Sequence, residues 1–572
     1  MRSFLIVTMV VLLVGCGPLH NIPDFESHEI EMVVSNVSSI SLSTLCLTAC
    51  TLLPQLKTEH VVMVDQRGNL VDPRANIGDP DSGRHIPFIS YPLLEDIDWY
   101  FTHLFQALDQ APTGPDGKRR ITIFLHGGLN TPTSSLERAV DYSDAIIQDG
   151  SFPIFINWDS SLTSSYIDHL FYLRQGRSLF DWCCSWAIEL GIVDKEKGIL
   201  KNVMEWETTL LTTPLYFAID VVRGALRLPL DLWSVSFAES NSSFLQNFCK
   251  DCKYPPGYRD CSKEVRFSLS SPHRVPLDQQ IALTKQSQLL ICEDHNRRYF
   301  LPEEEIKTFP IIEGQNSQPP GGGKLGMFRN IVTMPTQIAS TLAIDMAGTG
   351  SWSAMRTRTM SMFHSSDDYQ TPGGGVSIFL NKLRKHISLN GGKAKWEVTL
   401  IGHSMGAIVA NEMIRRFGHP LSDDESAPFF DRVVYMAAAC SLADYMNTIS
   451  PYLAMHKNVR MYHLMLNDQA DSSESYGTVA MHGSLLVWID SFFGAVDSPF
   501  DMVAGRYINF LRVAHLHEPE IRSRVSIKVF NYGEGTENTN PQTHGDFGNF
   551  PFWKPAFWEV DSEAPFSLQR LK

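Results

Sequence analysis

The stretch Val398-Thr-Leu-Ile-Gly402-His403-Ser404-Met405-Gly406-Ala407-Ile-Val-Ala410 joins two kinds of secondary structure in thirteen residues. A β-branched and aliphatic run, the pattern of a buried strand, ends in Gly-His-Ser-Met-Gly, and an Ala/Ile/Val segment compatible with a helix follows at once. A serine at such a strand-to-helix turn is expected to have strained backbone angles and an exposed hydroxyl. The two glycines keep the turn free of Cβ clashes, and the helix N-terminus behind it favours negative charge. That hydroxyl is a weak nucleophile until a histidine takes its proton, so the turn places a demand on the rest of the chain. The bland alternative is a serine in a tight βα turn with no chemistry, and the context around the pentapeptide separates the two.

Upstream, Arg120-Ile-Thr-Ile-Phe-Leu-His126-Gly127-Gly128-Leu129-Asn130 is another apolar strand pattern, ending in His-Gly-Gly. Residues 134–149 then carry helical apolar spacing, and Pro153-Ile-Phe-Ile-Asn157-Trp158-Asp159-Ser160 reads as a further short strand. Strand, loop, helix, strand is a βαβ unit, which implies a parallel sheet and an α/β class. Two more buried-strand patterns follow Ser404: Val433-Val-Tyr-Met-Ala437, and Val459-Arg-Met-Tyr-His-Leu-Met-Leu466 with Asn467-Asp468 directly at its end. The last strand pattern is Val525-Ser-Ile-Lys-Val-Phe530, before a Gly/Asn/Thr-rich loop and Thr543-His544-Gly545-Asp546-Phe547.

With these pieces in place the chain resembles the α/β-hydrolase superfamily, in particular its lipase and esterase branch. The resemblance implies an α/β-hydrolase fold: a mostly parallel central sheet flanked by helices, with a large, mainly helical cap insertion. It implies Ser404 as nucleophile and, in the family's order of serine, acid, histidine, Asp468 and His544 as its partners. Asp468 would hold the imidazole ring and stabilise the imidazolium; Asp471 and Glu474 in the same loop are the fallbacks. The oxyanion would be bound by the N–H of Met405 and by one from Gly127, Gly128 or Leu129, with His126 shaping the loop. Seven histidines follow Ser404, namely His419, His456, His463, His482, His515, His517 and His544. His463 falls inside a strand pattern and reads as packed, His515 and His517 fall in a helix-to-loop segment, and His544 sits on a loop free to reach a serine on another element.

Composition describes a globular chain that exceeds one minimal hydrolase core: 572 residues, 43% hydrophobic and 19% charged. A net charge of −15, from 48 basic and 63 acidic side chains, argues against nucleic acid as a partner, and no basic tract reverses that. No Gly-rich phosphate loop, dinucleotide fingerprint or paired zinc-finger cysteines occur, and the expected chemistry requires no metal or organic cofactor.

Residues 4–14 form an apolar run after Arg2, too short to span a membrane and suited to a signal peptide. Leu13-Val14-Gly15-Cys16 resembles a bacterial lipobox, which implies cleavage before Cys16, lipid attachment to its thiol, and an exported protein anchored to a bacterial membrane, with the outer membrane as the default. Ordinary secretion and an uncleaved anchor are the alternatives. Of ten cysteines, nine remain after Cys16, so at least one is free or pairs with another chain. Cys249, Cys252, Cys261 and Cys292 read as disulfide-forming, with buried thiols or a metal site as alternatives, and Cys46 and Cys50 have the spacing to pair across a loop.

The organisation is therefore a leader (1–15), an exported N-terminal segment (16–60), a first core part (61–159), a cap or lid insertion (160–368) and a second core part (369–572). Residues 61–64 read as an early edge strand and 93–108 as a helix. Within the insertion 198–206, 215–237 and 326–362 look helical, and a helix from Gly375 to His386 follows. The expected function is a serine hydrolase cleaving a small-molecule or lipid ester through an acyl-enzyme. An amidase, peptidase or thioesterase on the same framework, or a surface lipoprotein using the fold for binding without turnover, are the alternatives, since a fold alone proves no function.

Overall fold

The computed structural model describes residues 57–73, 96–161, 164–166, 311–313, 334–364, 373–419, 427–467, 483–494, 499–507, 517–530 and 536–559, with a few shorter pieces between them that include 470, 471 and 474. The leader, Cys16, the expected helix at 198–206 and all of that at 215–237 but residue 221 lie outside the described residues, as do all cysteines but Cys440. Cys440 is a buried free thiol.

The strands are β1 (Val61–Val64), β2 (Leu70–Val71), β3 (Arg119–Leu125), β4 (Ser151–Trp158), β5 (Ile311–Glu313), β6 (Trp396–His403), β7 (Arg432–Met436), β8 (Arg460–Leu466) and β9 (Val525–Phe530). They form one sheet in the order β2-β1-β4-β3-β6-β7-β8-β9-β5, and every pairing is parallel except the short β1–β2 ladder. Their near-continuous apolar sequences have that cause: helices cover the sheet, so β3, β4, β6 and β9 are buried along almost their whole length.

The principal helices are α1 (Ile97–Asp109), α2 (Pro132–Gln148), α3 (Met334–Ser361), α4 (Gly375–Leu389), α5 (Gly406–Phe417) and α6 (Leu442–Met455). Local chemistry sets where they start. Thr131 caps α2 by accepting from the Ser134 N–H, with Pro132 in the first turn, and Ser441 caps α6 by accepting from the Asp444 N–H. The α6 face that packs inward, Leu442, Tyr445, Ile449, Tyr452 and Leu453, follows the helical period. No helix among the described residues is long and apolar enough to cross a membrane.

One expectation is corrected. Residues 61–64 are not the edge of the sheet, because β2 adds a further antiparallel strand outside them. Within the stretch 160–368, Ile311–Glu313 pairs with β9 at the far edge of the sheet, a strand too short to show as a pattern in the sequence. Chain order reverses direction at β3, with β4 on one side and β6 on the other. The loops leaving the C-terminal ends of β3 and β6 therefore diverge, and a crevice at such a switch point is where open α/β sheets bind ligands.

Candidate active site

Ser404 directly follows β6 and adopts a left-handed φ of +53°, as the turn demands. The end of the neighbouring strand holds it there: its N–H donates to Met436 O at 2.9 Å, and its carbonyl accepts from Ala439 N at 2.9 Å and Ala407 N at 3.1 Å. The hydroxyl was expected to be exposed, but Ser404 is only 1% accessible. The loop after β3 lies hard against it; a Cβ on Gly127 would stand 2.9 Å from Ser404 Cβ and 3.1 Å from His403 Nδ1, so that position has room only for glycine.

His544 arrives from 140 residues away, and its Nε2 lies 2.8 Å from Ser404 Oγ. Its ring is buried and begins a short 3-10 turn, His544–Asn549. Asp546 fastens that turn by accepting from Gln542 N, Asn549 Nδ2 and Arg570 Nη2. Burial pushes the His544 imidazolium well below the usual histidine range, with the neighbouring His403 adding to it, so the ring is a neutral proton acceptor. Its Nδ1 is buried with no hydrogen-bond partner among the described residues.

The three acids weighed from the sequence, Asp468, Asp471 and Glu474, follow β8 in the chain. Asp468 lies outside the described residues. Asp471 and Glu474 are buried, on a turn started by Asn467 Oδ1 accepting from Ala470 N. Glu474 does something other than orient the ring: its Oε2 accepts from the backbone N–H of His544 at 2.8 Å. His403 grips the other side of the same residue, its Nε2 3.0 Å from the His544 carbonyl oxygen. A carbonyl only accepts, so His403 carries its proton on Nε2. Burial lowers its pKa to about 4 and keeps it neutral. Neither role was visible in the sequence, although His403 lies within the motif itself.

Around the loop after β3, His126 donates from Nδ1 to Gly127 O at 2.7 Å, accepts at Nε2 from Trp158 N at 3.2 Å, and stacks on the Trp158 ring. Burial takes its pKa down to about 3, so it is a structural, neutral ring. Asn130 Nδ2 and Ser160 Oγ donate to the same Gly127 carbonyl, at 2.8 and 3.1 Å. A trans peptide points its carbonyl and the next N–H in opposite directions, so these three donors aim the Gly128 N–H away from themselves. Leu129, weighed above as an oxyanion donor, is ruled out of that role: its N–H donates to Ser160 O at 2.8 Å, at a strained φ of +64°. The N–H groups of Gly127, Gly128 and Met405 donate to nothing among the described residues.

No family model, curated protein or solved structure matches this chain. The site must be read from its own geometry. Among the described residues no three or more His, Cys, Asp or Glu side chains group to hold a metal ion. What the arrangement offers is a hydroxyl within hydrogen-bond reach of a neutral imidazole, at the foot of a helix and beside glycine N–H groups.

Proposed function

We propose that the chain is a serine hydrolase of the α/β-hydrolase type that cleaves acyl esters. The observation that carries this reading is the 2.8 Å approach of His544 Nε2 to Ser404 Oγ at a left-handed strand-to-helix turn. In the proposed reaction the Ser404 hydroxyl donates its proton to His544 as Oγ attacks the acyl carbonyl. The developing oxyanion is received by the N–H groups of Met405 and Gly128. His544 returns the proton to the leaving alkoxide, and water then resolves the acyl-enzyme by the same two steps in reverse order of partners. Asp468 is the proposed acid on His544 Nδ1, supported by its place at the end of β8. The buried Met355 sulfur on α3, 3.8 Å from where a Gly128 Cβ would stand, gives the loop after β3 an apolar neighbour. We also propose a lipid anchor at Cys16, on the strength of Leu13-Val14-Gly15-Cys16 alone.

The test is a fluorophosphonate probe on the full-length chain, with the label located by mass spectrometry and p-nitrophenyl esters of short and long acyl chain as substrates. Label on Ser404 that disappears in Ser404→Ala and in His544→Ala is the expected outcome, with turnover falling by roughly 10⁴-fold or more in both. A folded chain that takes no label and cleaves no ester would sink the proposal.

A further inference from the structure

We infer that Arg358, carried on α3 within the long insertion, is a positioning residue for the oxyanion loop; the inference rests on the hydrolase reading above. Arg358 is only 1% exposed. A guanidinium keeps its charge at any accessible pH, so burying one demands partners. Several of them lie in the turn that leaves β4. Nη1 donates to Asp159 O at 2.9 Å and to the hydroxyls of Ser164 and Ser165 at 3.1 Å each, and stands 3.6 Å from the Asp159 carboxylate. Asp159 is steadied from the other side by Gln66 Nε2 at 3.0 Å.

The next residue in the chain, Ser160, is fully buried and is the anchor of the loop after β3. Its carbonyl accepts from Leu129 N at 2.8 Å, its N–H donates to Asn130 O at 3.2 Å, and its hydroxyl donates to Gly127 O at 3.1 Å. From Arg358 to the peptide that aims the Gly128 N–H the path thus runs through two adjacent residues, the Asp159 carbonyl and the Ser160 hydroxyl. A second contact points the same way. Met355, one turn earlier on α3, lies against Gly128 itself. The insertion helix therefore holds the turn after β4 with its charge and backs the loop with its sulfur.

Donors to an oxyanion act only if held near their productive geometry, and losing one typically costs about 10²- to 10³-fold in kcat. Releasing Ser160 removes one of three donors from Gly127 O and both backbone ties of the loop. The peptide then rotates more freely, and the Gly128 N–H is no longer held ready.

The experiment compares wild type, Arg358→Met and Arg358→Lys as full-length chains. It measures kcat and KM per fluorophosphonate-titrated site, inhibition by a trifluoromethyl ketone, whose hemiketal oxygen uses the same donors, and amide hydrogen exchange. In Arg358→Met, kcat per site is expected to fall about 30-fold with KM within about twofold, because the lost contact matters only in the transition state. The ketone should weaken in proportion, exchange should rise at 127–130 and 158–161 but not at 396–403, and Arg358→Lys should recover part of each. Unchanged ketone affinity with unchanged loop exchange overturns the inference. If Arg358→Met does not fold, Ser165→Ala and Arg358→Lys carry the comparison, and full ketone affinity in both overturns it. If wild type itself neither labels nor turns over, the hydrolase reading fails, while the exchange data still decide whether Arg358 holds the loop.

Discussion

Among the described residues three that are not glycine adopt positive φ: Leu129, Ser404 and Ala437. They stand at or just beyond the C-terminal ends of three neighbouring strands, β3, β6 and β7. Strain of this kind costs about 1–3 kcal/mol per residue and persists where the surroundings impose it, most often at functional sites. His544 is imposed in a different way, through its own peptide: Glu474 takes its N–H and His403 takes its carbonyl. Replacing His403 with Phe keeps a buried ring and removes the donor. We expect kcat to fall about tenfold with KM unchanged, as for a lost hydrogen bond worth about 1.4 kcal/mol in positioning. His403→Gln, whose side-chain amide supplies an N–H, should recover most of it; steady-state kinetics on a p-nitrophenyl ester check this. Equal losses in both variants would mean that the ring's packing, not its proton, matters. Ser404, Met405 and Gly127 could be found in the sequence because strand-to-loop turns are written locally. The clamp on His544 could not, because its partners lie 70 and 141 residues away.

At the scale of elements, α5 and β3 approach each other backbone to backbone. A Cβ on Gly406 would stand 2.3 Å from Leu125 O, a backbone atom that cannot move aside. Gly406→Ala should therefore force the nucleophile helix off the sheet and destabilise the fold by about 3 kcal/mol or more. Gly545, beside His544, is the control, since nothing lies within 4 Å of the Cβ it would gain. Urea denaturation of the two variants should show a large loss for the first and little for the second; a mild Gly406→Ala would mean that α5 sits further from β3. The strands and helices of the core were legible because burial on both faces writes long apolar runs and amphipathic helices repeat near every 3.6 residues. Residues 311–313 were not, because so short a strand at a sheet edge is specified by its partner β9 rather than by its own pattern. The run 326–362 read as helical and the helix is Met334–Ser361, but that Arg358 turns inward against Asp159 is a tertiary fact with no local signature.

Across the whole molecule, burial of imidazoles makes a claim about acid. His126, His463 and His517 are held down to about 3 and His403 to about 4, each chiefly by loss of solvent, against an ordinary value of 6.5. Below pH 6.5 the unfolded chain binds protons at these four rings that the folded chain refuses, so stability is full above that pH and is lost as pH falls from 6.5 toward 3–4. Each ring contributes roughly 1.4 kcal/mol per pH unit once well below 6.5, or about 2 kcal/mol by pH 5. Even half of that, summed over four, is a large part of the 5–15 kcal/mol typical of a folded domain. Equilibrium urea unfolding at pH 7, 6 and 5 should show a steep decline that begins before the carboxylates titrate. His463 gives the sharpest control. It is fully buried in β8, packed against Tyr445 and Phe510, and neither ring nitrogen has a hydrogen-bond partner among the described residues. His463→Phe keeps an aromatic ring there and removes the titrating group. Its stability relative to wild type should therefore improve by about 2 kcal/mol between pH 7 and pH 5. A gap that stays constant with pH would mean that the ring takes up its proton inside the fold, through a solvent path or a rearrangement around β8.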